Sequence, residues 1–315
     1  MARQTPLCLW LSLLILAPGT ATTAVAGERI TAPRPSGHVP ELRHYLDDLV
    51  VHQPLMHAGL AVFPLTLRRS EQLPGRWLTM DEAIRRKFLV VTERKGRATV
   101  PVIYAENRSP REHVFLMAGE VVSGGKQTRT IREDVVLAPA QKVDVGAFCV
   151  EAHRWSGTVQ FGASRVMLPQ SIQKEMRKGA SQRRMWAEVS RSNRALKSQN
   201  ATDSLELSLN ASSVRTKLDP VRRAIVQEVP GASVGFIFVH RGRAVGGEFF
   251  GHSHMARALL PKLLDSYCSG SRVAATGKTD TSKAAGAHSH RRRFPASHPK
   301  GGKFSKVHAR VRRRH

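Results

Sequence analysis

Two short polar clusters hold the residue types in this chain that can do chemistry. The first reads Gly119-Glu120-Val121-Val122-Ser123-Gly124-Gly125-Lys126-Gln127-Thr128-Arg129, and the second Cys149-Val150-Glu151-Ala152-His153-Arg154-Trp155. A hydrophobic, hairpin-like pattern separates them. Charged groups bracketed by buried strands cost free energy to desolvate unless they pair with one another or with a ligand. The pattern therefore marks a site. Lys126, Arg129 and Arg154 are cations suited to neutralising a small anion, Gln127 suits orienting it, and Trp155 offers a stacking surface or a core anchor. Glu120 or Glu151 would be the acid or base of any proton transfer. Cys149, close to a Glu, a His and an Arg, reads in two ways. It is a nucleophile if nearby cations favour the thiolate. Otherwise it is a buried small residue at a strand end, beside a Glu151–Arg154 ion pair.

Several familiar chemistries do not fit. A nucleotide-triphosphate loop needs Gly-x4-Gly-Lys followed by Ser or Thr and then a helix. Here Gln127 follows Lys126, and the next stretch reads as strand. A looser anion cradle survives, with Gly124 and Gly125 letting backbone amides approach a negative charge. A Gly-rich turn with its charges in water accounts for the same residues. His252-Ser-His254 lacks a further ligand at a useful spacing, so no metal residue is assigned, and no cofactor signature is identified. There is no nucleophile elbow and no Ser-His-Asp order.

Charge and targeting narrow the setting. The 315 residues carry 50 Lys and Arg against 24 Asp and Glu, a net of +26. Such a polycation is drawn to anionic partners: nucleic acid, lipid headgroups or acidic envelope polymers. Residues 1–26 read as an export signal, with Arg3 before an apolar run and Ala24-Val25-Ala26 as the cleavage site. The expected location is periplasmic or secreted, with no membrane span in the mature chain. Cys149 and Cys268 remain after cleavage, and an oxidising compartment permits one disulfide between them.

The elements that must position the clusters follow from local patterning. Residues 27–56 form a lead-in with a short helix over 41–51, and residues 57–268 form the folded domain. Thr79-Met80-Asp81-Glu82 is a capping box opening a helix that runs to about residue 88. Strands are expected over 60–67, 89–92, 99–105, 113–117, 134–137 and 143–150. Strands so closely spaced pair antiparallel, as in a small sandwich or barrel. Helices follow over 171–197, interrupted at Gly179, and over 214–229, then a hairpin turning at Gly242 and a closing helix over 255–267. The fold class is α+β, with an antiparallel, β-rich, sandwich-like first half and helices with a β-hairpin in the second. Residues 269–315 read as a disordered tail rich in Lys, Arg and His.

The segment from residue 60 to 267 resembles the ARG and Rhodanese-Phosphatase-superfamily-associated Protein domain, an uncharacterised and mostly prokaryotic family. The resemblance is carried in order by Val62-Phe63-Pro64-Leu65, Leu78-Thr79-x-Asp81-Glu82-Ala83, Gly119-Glu120 with Gly125-Lys126-Gln127-x-Arg129, the Cys149 cluster, Gln182-x-x-x-Trp186, and Val234-Gly235 with Gly242, Gly246 and Phe249. Thr128 stands where the family pattern has Asn, and His153 where it has Gly. The resemblance implies one domain with clustered polar residues, and its name hints at nucleotide-sugar ligands. Two functional expectations follow. The first is a site, with or without turnover, for a small nucleotide-sugar or phosphate-like anion. The alternative is a non-catalytic envelope module that grips polyanions through the tail and the basic helix at 171–197.

Overall fold

The computed structural model describes residues 40–69, 73–94 and 101–269. The export signal, residues 27–39 of the lead-in and the basic tail from 270 lie outside the described residues.

Alternating apolar positions build a six-stranded closed barrel at the centre. In chain order its strands are β5 (Leu89–Glu93), β6 (Val102–Asn107), β8 (Glu120–Gly124), β9 (Arg129–Ile131), β11 (Lys142–Cys149) and β12 (Gln160–Met167). They close in the order β11-β6-β5-β12-β8-β9 with every neighbour antiparallel. Every second residue of β5 is buried, so Leu89 and Val91 meet Ile103, Ala105, Val122, Ile131, Val145, Ala147 and Phe161 in one core. Closure removes the open strand edges that an antiparallel sheet would leave unpaired.

Two smaller sheets flank the barrel. β1 (Leu49–Val51) and β2 (Leu55–His57) both pair with β3 (Leu60–Leu67), which also pairs with the hairpin β13 (Gly235–His240)–β14 (Arg243–Phe249). β7 (Glu112–Leu116) lies between β10 (Val135–Leu137) and a parallel partner, β4 (Arg76–Thr79). The lead-in is thus part of the fold: α1 (Pro40–Asp47) is followed by two strands of the larger sheet, where one helix was expected to continue to 51.

The capping box forms as read. The Thr79 backbone amide donates to Glu82 at 3.0 Å and opens α2 (Met80–Arg85). The basic helical stretch splits at Gly179, whose positive φ of 84° suits a residue without a side chain. It becomes α3 (Gln170–Arg177) and α4 (Gln182–Ala195). Two further helices, α5 (Leu205–Asn210) and α6 (Ser212–Glu228), lead to the hairpin, and α7 (Ser253–Ser269) closes the domain. These helices pack a second core against β3 and β13, with Val214, Leu218, Leu259 and Leu263 meeting Leu60, Val62, Phe236 and Phe238. Phe238 stacks on Tyr267 with ring centroids 3.9 Å apart. The α+β, β-rich class holds, and its first half closes into a barrel. Among the described residues no helix is long and apolar enough to cross a membrane.

One glycine controls how tightly the barrel ends. Gly125 has φ 58°, and a Cβ there would collide with the Phe161 ring and approach the Glu93 carboxyl at 3.0 Å. Gly125→Ala is expected to cost about 1–3 kcal/mol through overpacking. Gly162→Ala, where a Cβ meets open space, is expected to stay within about 0.5 kcal/mol. Denaturant unfolding of the two variants checks the contrast.

Candidate functional site

Strand ends set the site. Glu93 ends β5, Gly124 ends β8, Arg129 begins β9, Cys149 ends β11 and Phe161 lies at the start of β12. Cross-strand register places Cys149 opposite Arg129, Phe161 opposite Gly124 and Glu93 opposite Ile103. All therefore gather at one mouth of the barrel. The loop 125–128 and the segment 150–155 lie over it.

Arg129 is fully buried there. Its guanidinium pairs with Glu93 at 3.5 Å, donates to the Gln127 carbonyl at 3.2 Å, and reaches the Cys149 sulfur at 2.8 Å. Burial pushes the Cys149 thiol up to about 11 despite the nearby guanidinium. The thiol is accordingly protonated at neutral pH, and this resting geometry does not supply a thiolate nucleophile. Glu151 is equally committed. Its Oε2 accepts from Arg154 Nη2 at 2.7 Å, from Arg154 Nε at 3.0 Å, and from both the backbone and the hydroxyl of Thr128 at 3.1 Å. Burial alone would raise the Glu151 pKa, but the Arg154 and Thr128 hydrogen bonds outweigh it and hold the carboxyl below its ordinary value. A carboxylate so held is a poor general acid. Thr128, where the family pattern has Asn, keeps a side-chain hydrogen bond in this network.

The glycine pair does not form an anion cradle. Carbonyl oxygens, not amides, meet the nearest cation: Arg154 donates to Gly125 O at 3.0 Å and to Gly124 O at 3.3 Å. The Gly125 amide is used by Gln160 O at 3.2 Å, and the Lys126 amide by the Glu93 carboxyl at 3.0 Å. Arg154 thus bridges loop and strand end rather than facing a ligand.

What stays accessible is Lys126 and Trp155. The Lys126 ammonium lies 5.5 Å from the centre of the Trp155 ring, and the Arg129 guanidinium carbon lies 5.8 Å from it. Trp155 is 49% exposed, so it is a surface ring rather than a core anchor. His153, the other departure from the family pattern, is exposed, and its backbone amide donates to Thr202 O at 3.1 Å. Behind the ring, Arg129 Nε and Glu93 Oε2 are buried with no hydrogen-bond partner among the described residues.

Glu120 is placed elsewhere. It begins β8, whereas the glycine pair lies at that strand's other end. It is fully buried and accepts from Lys262 Nζ at 2.8 Å and from the Met117 amide at 2.9 Å. Lys262 also donates to Asp81 at 2.8 Å. Burial by itself would lower the Lys262 pKa, but Glu120 and Asp81 more than offset it and hold it raised. The other seven site residues read from the sequence meet at the mouth; Glu120 belongs to this second network.

The family described as the ARG and Rhodanese-Phosphatase-superfamily-associated Protein domain matches residues 48–301. The chain belongs to this family. No curated protein and no solved structure matches it. The family domain thus begins earlier than residue 57 and extends past 268, into the stretch read as tail. Of the motifs that carry the resemblance, two build the mouth, through Gly125, Lys126, Gln127, Arg129, Cys149, Glu151, Arg154 and Trp155. Gln182, from another motif, accepts from the Cys149 amide and donates to the Cys149 carbonyl, both at 2.9 Å. Cys149 and Cys268 are both buried, and no disulfide joins them here.

Two residues of these networks escaped the sequence reading. Glu93 occupies the third inward position of a strand whose first two are Leu89 and Val91, so a period of two carried one residue further signals a buried acid. Lys262 sits three residues after Leu259 and one before Leu263, on the inner face of an amphipathic helix. No group of three or more His, Cys, Asp or Glu is placed to hold a metal among the described residues.

Two outcomes are expected. The Glu151 contribution is present above its unfolded pKa of about 4.3 and is lost as pH falls through the lower folded value. The difference in unfolding midpoint between the parent and Glu151→Gln is therefore expected to be widest near neutrality and to close in acid, as followed by thermal melts across pH. Lys262→Met leaves two carboxyl groups without their cation and is expected to cost about 3–5 kcal/mol. Adding Glu120→Gln should recover part of that loss in the same denaturation measurement.

Proposed function

We propose that the barrel mouth is a non-covalent binding site for a small anionic ligand of nucleotide-sugar or phosphate-like type. The observation that carries this reading is the half-buried Lys126 ammonium beside the exposed Trp155 ring. No carboxylate is within ion-pairing distance of Lys126 among the described residues. An open cation next to a flat apolar ring offers charge to a phosphate and a stacking face to a base or sugar. Arg129, buried behind the ring, adds positive potential from a low-dielectric position. Cys149 and Glu151 support binding over covalent chemistry, because the thiol is held protonated and the carboxylate is fully engaged.

The polyanion-gripping alternative rests, among the described residues, on the basic stretch 171–197. Lys178 and Arg184 pair with Glu175 at 2.7 and 3.5 Å, and Arg191 pairs with Glu188 at 2.7 Å. Those two acids face eight Lys and Arg, so the stretch keeps a net charge of +6.

Calorimetric titration of the full chain with ADP-ribose tests the proposal. Binding is expected, with Trp155→Ala and Lys126→Ala each weakening it by about 3- to 30-fold, the range of a single cation–π or stacking contact. Absence of binding by the parent, or unchanged affinity in both variants, overturns it.

A further inference from the structure

A second concave surface lies away from the barrel mouth, between α6, α7 and β12. It is a cleft of about 390 Å³ lined by Arg165, Arg222, Arg223, Lys262, Asp81 and an apolar strip of Val226, Ala258 and Pro261. Helical spacing builds its walls. Residues 222, 223, 226 and 227 share one face of α6, and 258, 261 and 262 share one face of α7. Arg165 projects from β12, and Asp81 comes from the first turn of α2.

Charge in the cleft is unbalanced. Four cations line it against one carboxyl, and that carboxyl already accepts from Lys262 at 2.8 Å. Arg222 is anchored by Asp219 at 3.0 Å, which fixes its guanidinium in place. Arg165 and Arg223 are exposed, and neither makes an ion pair among the described residues. Lys262, only 5% exposed, forms the floor with its ammonium shared between Asp81 and fully buried Glu120, so the exposed guanidinium groups of Arg165 and Arg223 carry the positive charge of the cleft. Like charges are thus held together at the rim of a concavity, where low-dielectric walls focus their field.

We propose that this cleft binds the phosphate of a small, non-aromatic phosphomonoester. Guanidinium groups present paired N–H donors that match phosphate oxygens. The volume lies at the lower end of the range for small-molecule sites, about 300–1,000 Å³. Among the described residues no aromatic ring lines the cleft to offer a stacking platform for a nucleobase. The strip of Val226, Ala258 and Pro261 packs instead against the short carbon body of a polyol or sugar phosphate. This site is separate from the barrel mouth in residues, and it stands whether or not the mouth binds.

The test is a titration of the full chain with glycerol 3-phosphate, read from the side-chain Nε–Hε NMR signals of Arg165, Arg222 and Arg223. Glycerol, and sodium chloride at matched ionic strength, serve as controls. Saturable shifts confined to the phosphate ester are expected at concentrations up to about 10 mM. The double variant Arg165→Ala, Arg223→Ala removes two exposed side chains and should weaken binding at least about tenfold, while Trp155→Ala leaves it unchanged. The proposal is overturned if the cleft signals do not move, if chloride moves them equally, or if the double variant binds as the parent does.

Discussion

A guanidinium with no access to water has to find its counter-charge and hydrogen bonds inside the protein, and Arg129 imposes that requirement on the whole barrel end. Glu93 must turn inward at the end of β5, the Gln127 carbonyl must fold back over the mouth, and the Cys149 sulfur must face the same point from β11. Each of those positions recruits another. The Glu93 carboxyl holds the Lys126 amide, and Lys126 in turn lies beside Trp155. Removing a single partner from such a buried network leaves an unpaired charge, which typically costs more than the pair itself contributes.

The two ends of β8 carry opposite solutions to that problem. At one end the Asp81–Lys262–Glu120 chain places one ammonium between two carboxyl groups, sharing a surplus of negative charge. Beyond the other end, Arg154 is divided between the Glu151 carboxylate and the Gly124 and Gly125 carbonyls, sharing a surplus of acceptors. What each presents outward is positive: Lys126 beside an aromatic ring in one case, and a guanidinium-lined cleft in the other. On the proposed reading the domain is a rigid support for anion recognition, with buried acids that aim its cations.

Much of this was legible in the residues, and the failures have physical causes. The capping box at Thr79, the strand at 60–67, the break at Gly179 and the hairpin after Val234 depend on local chemistry, and local chemistry survives in any tertiary context. The convergence of Lys126–Arg129 with Cys149–Trp155 was inferred from desolvation cost, and β9 pairing with β11 brings it about. The strands β1, β2, β4, β8 and β12 were not read, and β9 was read as strand without bounds. β1 and β2 have three residues each and β4 four, too few for a period to show, and β8 lies within the stretch judged by its polar residues. β12 holds Gly162, Ser164 and Arg165, so its apolar alternation is weak. Glu120 was grouped with Arg129 because they are close in sequence, but β8 carries it toward α7. The glycine pair looked like an amide cradle, although sequence cannot say whether amides or carbonyls face inward.

The clasp between Gln182 and Cys149 has a further bearing on motion. β6 pairs with β11 over Lys142–Gly146, and Pro101 O then accepts from the Ala147 amide at 2.9 Å. At the next rung on that edge the Gln182 carboxamide accepts from the Cys149 amide and donates to the Cys149 carbonyl, as a neighbouring peptide would. A side chain can swing away by rotating about its own bonds, whereas a main-chain neighbour cannot leave without unzipping the ladder. Opening at this rung is therefore a helix-undocking event that leaves the barrel shut, and the rate at which the Cys149 amide exchanges its hydrogen measures how firmly α4 sits on the wall.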